Sequence, residues 1–286
     1  MEWFVGTPDG RTLAVEDAGD RGGLPVMVHV GTPGGRRLYG PRTLADAQRR
    51  QLRLISYDRP GYGGSTPQPG RSMADCASDV RVICAALGID GLTMWGHSGG
   101  GPHVLACAAL LPDLVPAVAS LASPAPYDAA GLDWLAGFSQ AAVEEVRLTL
   151  DDQTEARALF QDEREKMLAA SPAQAALDMQ RYVPEADLAL LTDEAVSIQQ
   201  ALAPGIEGSW DDCVAQLTLW GFDVAQISVP VLLLHGGQDR AVPFSHGQWL
   251  ASRIPDAETW FFDDEGHALR ESHIEDVHAW LVDRSS

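Results

Sequence analysis

The sequence predicts an α/β protein built around a parallel sheet, and three observations carry that expectation. Short apolar runs bounded by glycine or proline recur at 25–30, 52–57, 92–95, 115–121 and 229–235. They are continuous rather than alternating, as in strands covered on both faces. Segments with helical spacing separate them, which is the signature of strand–helix–strand units. From about Tyr127 to Leu219 the strand signal stops, and helix follows helix before strands return.

The elements follow in order. Trp3–Val5 and Thr12–Glu16 predict a hairpin around Pro8-Asp9-Gly10, a turn sequence. Pro25–Val30 is the first buried strand, Leu38–Arg50 a helix, and Leu52–Tyr57 the next strand. Ser72 stands at an N-cap with Asp75 three residues on; Ala77, Val80, Ile83, Cys84 and Leu87 then share one face, and Gly88 ends the helix. Leu92–Trp95 is a strand, Pro102–Leu111 a helix and Val115–Leu121 a strand. The helical stretch that follows is dense in acids and breaks at Gly131, Ser171-Pro172, Val183-Pro184 and Pro204-Gly205. Strands return at 229–235 and at Glu258–Phe262, and a last helix covers Ser272–Val282. The domain reading is therefore a core formed by 1–126 and 220–286, with 127–219 inserted as a helical cap.

Composition excludes several classes. With 40 acidic and 20 basic residues among 286, the formal charge is −20, which repels phosphate backbones and anionic lipid. No nucleic acid or membrane partner is expected. Residues 91–112 hold no Asp, Glu, Lys or Arg, yet Gly96, Ser98, a glycine triplet and two prolines make them a strand, a turn and a buried helix rather than a span. The four cysteines show no metal-binding spacing and read as reduced apolar residues. Met1-Glu2-Trp3-Phe4 opens no signal peptide, so the expectation is a cytoplasmic protein, as monomer or homodimer. His103, His246, His273 and His278 lack ligand-like spacing with carboxylates, and no metal or other cofactor is implied.

The chemistry-bearing pattern starts at Gly96-His97-Ser98-Gly99-Gly100, a G-x-S-x-G between an apolar strand and a helix. Such a turn exposes the serine hydroxyl next to the N–H groups of a helix N-terminus. A serine needs a base, and the base an orienting acid. Asp239, after strand 229–235, and His267, after strand 258–262, follow Ser98 in that order at strand C-terminal ends. Asp128, after the sixth strand, is the alternative acid; the Gly-Gly-Gln-Asp context favours Asp239. For the oxyanion hole the candidates are the backbone N–H groups of Thr32, in Gly31-Thr32-Pro33-Gly34-Gly35, and of Gly99; Pro33 has none to donate.

With these motifs and Asp58-Arg59-Pro60-Gly61-Tyr62-Gly63-Gly64-Ser65, the sequence resembles the α/β-hydrolase superfamily over nearly its whole length. The resemblance is to its serine-nucleophile branch, which includes esterases and proline-iminopeptidase-like enzymes. It implies a mostly parallel eight-stranded sheet flanked by helices, with the cap after the sixth strand. Three departures stand out. Val30-Gly31 replaces the usual His-Gly before the oxyanion loop, with His29 one place earlier. Ser98 stands where haloalkane dehalogenases and most epoxide hydrolases carry aspartate. The Gly-Gly-Ser-Trp-Gly elbow usual in proline iminopeptidases is absent.

The expected activity is cleavage of a small-molecule carboxylic ester or lactone through an acyl-serine. Amide or carbon–carbon bond cleavage by the same triad, or ligand binding without catalysis, are the alternatives. His97 either touches substrate or packs beneath the elbow. His235 reads as structural. Trp134, Phe138, Trp210, Trp220 and Phe222 are candidates for an apolar pocket under the cap, with core packing as the competing role.

Overall fold

Period-two alternation decides how the strands divide two hydrophobic cores between them. In the computed structural model, which describes residues 1–37, 40–181, 183, 186 and 188–285, β1 (Glu2–Gly6) and β2 (Thr12–Gly19) pair antiparallel. They lead to β3 (Leu24–His29), α1 (Pro41–Arg49), β4 (Leu52–Tyr57), α2 (Cys76–Leu87), β5 (Thr93–His97), α3 (Gly101–Leu110) and β6 (Val118–Leu121). Met27, Ile55 and Met94 point to one face, into a core shared with α2 and α3. Val26, Val28, Leu54 and Trp95 point to the other; β4 is buried along its whole length, and β3 and β5 over most of theirs. This is why the strands read as unbroken apolar runs.

Among the described residues, five α-helices lie between β6 and β7: α4 (Gln140–Asp151), α5 (Gln153–Ala169), α6 (Pro172–Met179), α7 (Leu188–Leu202) and α8 (Glu207–Leu217). Ser171 caps α6 by accepting the Gln174 N–H, with Pro172 at its first position. The break between α4 and α5 was not legible as a glycine or proline: Asp152 makes it by accepting the Thr154 and Glu155 N–H groups. The predicted break at Val183-Pro184 involves Pro184, which lies outside the described residues. β7 (Val231–Gly236), α9 (Phe244–Arg253), β8 (Ala257–Phe262) and α10 (Arg270–Val282) complete the chain, and α1 and α10 cover the second core.

The eight strands lie in the order β1-β2-β4-β3-β5-β6-β7-β8, antiparallel through β2–β4 and parallel from β4 to β8. Three expectations shift. The first helix begins at Pro41, because Gly40 is extended and Pro41 takes the first helical position; Leu38 and Tyr39 lie outside the described residues. Strand β6 starts at Val118, since Leu114 and Val115 still bond back to the Leu111 carbonyl. Helix α9 was not anticipated from the sequence. Among the described residues no helix is long and apolar enough to cross a membrane, and 91–112 are β5, a turn and α3.

Candidate active site

The turn from β5 to α3 forces Ser98 into the left-handed region, φ 54, a rare conformation for a residue with a side chain. The flanking glycines are steric requirements. A Cβ on Gly96 would overlap the Gly100 carbonyl, and one on Gly100 would overlap the carbonyls of His29 and Val30. The chain therefore turns tightly against the end of β3 and leaves Ser98 half-exposed. The oxyanion loop follows β3 directly. A Cβ on Gly31 would lie 3.8 Å from Ser98 Oγ, and one on Gly99 would lie 3.2 Å from the Thr32 nitrogen. Thr32 and Gly99 thus stand side by side next to the serine.

His267 opens a short helical turn ahead of α10, and its Nδ1 lies 2.8 Å from Asp239 Oδ2. Asp239 Oδ1 accepts the N–H groups of Ala241 and Val242 at 2.9 and 2.8 Å. His235, whose Nε2 donates to the Val242 carbonyl, stands 3.4 Å from Oδ2. Burial alone would raise the Asp239 carboxyl; the bonds from His235, His267 and Val242 outweigh it and hold the group well below the usual carboxylate range. Asp128 is exposed.

A model of the alpha/beta hydrolase fold matches residues 25–273. The chain belongs to this family. This α/β hydrolase is similar to a non-heme chloroperoxidase of Streptomyces lividans, 30% identical over 253 residues, 84% of this chain and 83% of that protein. It is 28% identical over 242 residues to the pimeloyl-[acyl-carrier protein] methyl ester esterase of Aromatoleum aromaticum, 81% of this chain and 87% of that one. Among solved structures, a thermophilic esterase from Thermogutta terrifontis superposes with a TM-score of 0.72 at 21% identity over 100% of both chains, a likeness of fold.

The other predicted site residues are distributed unevenly in this hydrolase. His97 lies against His267, ring centroids 4.7 Å apart, and its Nε2 donates to the His267 carbonyl at 2.9 Å. Burial, then the neighbouring His267 and Arg270, push the His97 imidazole well below its ordinary pKa. Trp134 and Phe138 stack 5.1 Å apart on His246 of α9, just beyond the Asp239 loop, and the Trp134 indole donates to the Ala125 carbonyl. Trp220 sits in the first core with Phe222, its carbonyl accepting the Ala74 N–H. Trp210 packs on Phe160 between α5 and α8. A cavity of about 720 Å³ is walled by Leu190 and Asp193 of α7 and by Gly266, Ala268 and Leu269 around His267. Helix α7 and the residues flanking His267 therefore border one hollow. Among the described residues no group of three or more His, Cys, Asp or Glu side chains is arranged to hold a metal ion.

Sequence reasoning passed over two neighbours of this site. His103 Nδ1 donates to the Gly99 carbonyl at 3.0 Å, and Asp212 of α8 accepts the Thr32 hydroxyl at 2.9 Å. The Asp212 contact spans 180 residues of sequence, so no local pattern announces it.

Proposed function

We propose that this protein is a serine hydrolase that cleaves a small-molecule carboxylic ester or lactone. The observation that carries the reading is the Asp239–His267 hydrogen bond of 2.8 Å at the C-terminal rim of the sheet where Ser98 is held at φ 54. Nδ1 of His267 donates to the carboxylate, which leaves Nε2 as the basic nitrogen. In the proposed cycle His267 takes the Ser98 proton as Oγ attacks the carbonyl carbon. The tetrahedral oxyanion is held by the Thr32 and Gly99 N–H groups. The proton passes to the leaving alcohol, and water, deprotonated by the same imidazole, then hydrolyses the acyl-serine. Residues 127–219 act as a cap that closes over the acyl group. The esterase-named relatives support the bond type, and Ser98 at the elbow supports covalent catalysis.

Turnover of p-nitrophenyl acetate by the wild type and Ser98→Ala tests it. Loss of roughly 10⁴-fold or more in kcat is expected in the variant. Activity that survives Ser98→Ala rejects the assignment.

A further inference from the structure

Asp212 is a carboxylate 1% exposed, carried by a helix that lies outside the sheet order, and it ends beside the oxyanion loop. Burying a charge at such a depth demands partners. Arg59 supplies two bonds to Oδ2, from Nε at 3.0 Å and Nη2 at 2.5 Å, and Arg71 donates to Oδ1 at 2.5 Å. These two guanidiniums saturate the charge; burial alone would raise the acid, and they hold it far below its ordinary range. Tyr62 also donates to Oδ2, at 3.1 Å.

A merely structural ion pair would end there. This one continues into the loop that carries Thr32. Arg59 Nη1 donates to the Val30 carbonyl at 2.7 Å, and Nη2 to the Gly31 carbonyl at 2.8 Å and the Thr32 hydroxyl at 3.1 Å. The Thr32 hydroxyl in turn donates to Asp212 Oδ2 at 2.9 Å. Three consecutive residues of the loop are thereby clamped, by the side chain of Thr32 and by the carbonyls that precede its N–H. The reach is possible because Gly208, one turn before Asp212 on α8, lies flat on the Tyr62 ring, where a Cβ would come within 2.8 Å of three ring atoms.

We propose that Asp212 is a positioning residue for the oxyanion hole, acting through Arg59 and the Thr32 hydroxyl to aim the Thr32 N–H. This rests on the serine-hydrolase reading above. Its consequence is that α8, which belongs to the inserted helices, sets the transition-state geometry of the core. A misaimed donor costs rate rather than substrate affinity, because the oxyanion forms only after attack.

The test uses Thr32→Val, which removes one hydroxyl and keeps the backbone N–H, Thr32→Ser, which keeps the hydroxyl, and Asp212→Asn. Each is assayed with p-nitrophenyl acetate beside wild type and Ser98→Ala, and titrated with a trifluoromethyl ketone whose serine hemiketal carries an oxyanion. Thr32→Val is expected to lower kcat roughly 10-fold with KM within about twofold, below the loss from deleting a donor outright. It is expected to weaken the ketone by the same factor, while Thr32→Ser recovers most of the loss. Asp212→Asn added to Thr32→Val is expected to cost less than Asp212→Asn alone, since both act through one bond. If Asp212→Asn does not fold, the Thr32 pair still decides. Equal kcat in wild type, Thr32→Val and Thr32→Ser, or a change confined to KM, overturns the positioning role alone. Full activity in Ser98→Ala overturns the serine reading and this proposal with it.

Discussion

Replacing Asp239 by Asn changes one atom, and the surroundings dictate what that atom does. Oδ1 accepts two backbone N–H groups, from Ala241 and Val242, at 2.9 and 2.8 Å. The amide oxygen of an asparagine is therefore required at that position, because an NH₂ there would face two donors. The amide nitrogen then occupies the place of Oδ2, 2.8 Å from His267 Nδ1. It can only donate, so Nδ1 becomes the acceptor and the imidazole proton moves to Nε2, the nitrogen assigned to take the Ser98 proton. A base in the wrong tautomer lowers kcat of a serine triad about 10⁴-fold, or about 5.6 kcal/mol of barrier at about 1.4 kcal/mol per tenfold. Substrate binding is left alone, so KM stays within a few-fold. Both backbone bonds survive, so the fold is retained and near-UV circular dichroism matches the wild type. The assay is steady-state p-nitrophenyl acetate hydrolysis with active sites counted by a phosphonate label. A folded Asp239→Asn protein whose kcat is within tenfold of wild type refutes the tautomer argument. If Asp128→Asn then abolishes activity, the orienting acid is the one after β6 instead.

Three further expectations follow from the same contacts. Burial first, then the charge of Arg59 for His103 and of His235 for His246, hold His103 down to about 3 and His246 down to about 4, against an ordinary 6.5. Their folded-state pKa values are depressed, so the unfolded chain binds the extra protons: stability is full above pH 6.5 and falls by up to about 1.4 kcal/mol per histidine per pH unit toward pH 4. Thermal unfolding between pH 7 and 4.5 checks this, and a flat Tm over that window contradicts it. Glu145 of α4 is raised to about 7 by burial and then by Glu163, so its charged form is disfavoured in the fold; Glu145→Gln should raise Tm at pH 8 and leave it nearly unchanged at about pH 3.5, where both states hold the proton. Gly208→Ala forces a methyl into the Tyr62 ring and should destabilise the protein by about 1–3 kcal/mol in urea unfolding, with the p-nitrophenyl acetate kcat falling alongside.

The parts of the fold that were legible in the sequence are those fixed by local rules. Val26-Met27-Val28 must alternate between two faces, and both faces are buried, so an unbroken apolar run marks the strand. Ser72 and Asp75 close a reciprocal capping box, and Gly88 ends α2 at φ 67, each a short-range signal. Helix α9 escaped because Phe244–Arg253 mixes glycine, serine and histidine with few apolar residues and has no side-chain cap. In the candidate site, the positions of Ser98, Asp239 and His267 after β5, β7 and β8 were legible because strand ends are readable. Arg59, Asp212 and His103 were not, although Arg59 lies inside a motif that marks the family. What they do depends on how α8 docks on the 58–65 loop, a tertiary event with no period in sequence.

The charges make the same separation on physical grounds. The excess of acids leaves the protein at −20, yet among the described residues the buried aspartates are all paired. Asp17 meets Arg53, Asp58 meets Arg36, Asp79 meets Arg11, and Asp211 and Asp212 meet Arg71 and Arg59. Asp46 touches His278, but Arg49 and Arg50 hold it as well. A guanidinium never gives up its proton near neutral pH, so these pairs can only anchor. Asp239 differs: its side-chain partners among the described residues are the imidazoles of His235 and His267. Of these, His235 is fully enclosed and committed to the Val242 carbonyl, while His267 lies against His97, the residue that precedes the elbow serine. A buried carboxylate whose neighbour can exchange a proton, at the rim of a sheet, serves chemistry; one locked between two arginines serves geometry. On that distinction Asp239 and Asp212, both buried and both charged, are assigned different roles in the proposed site.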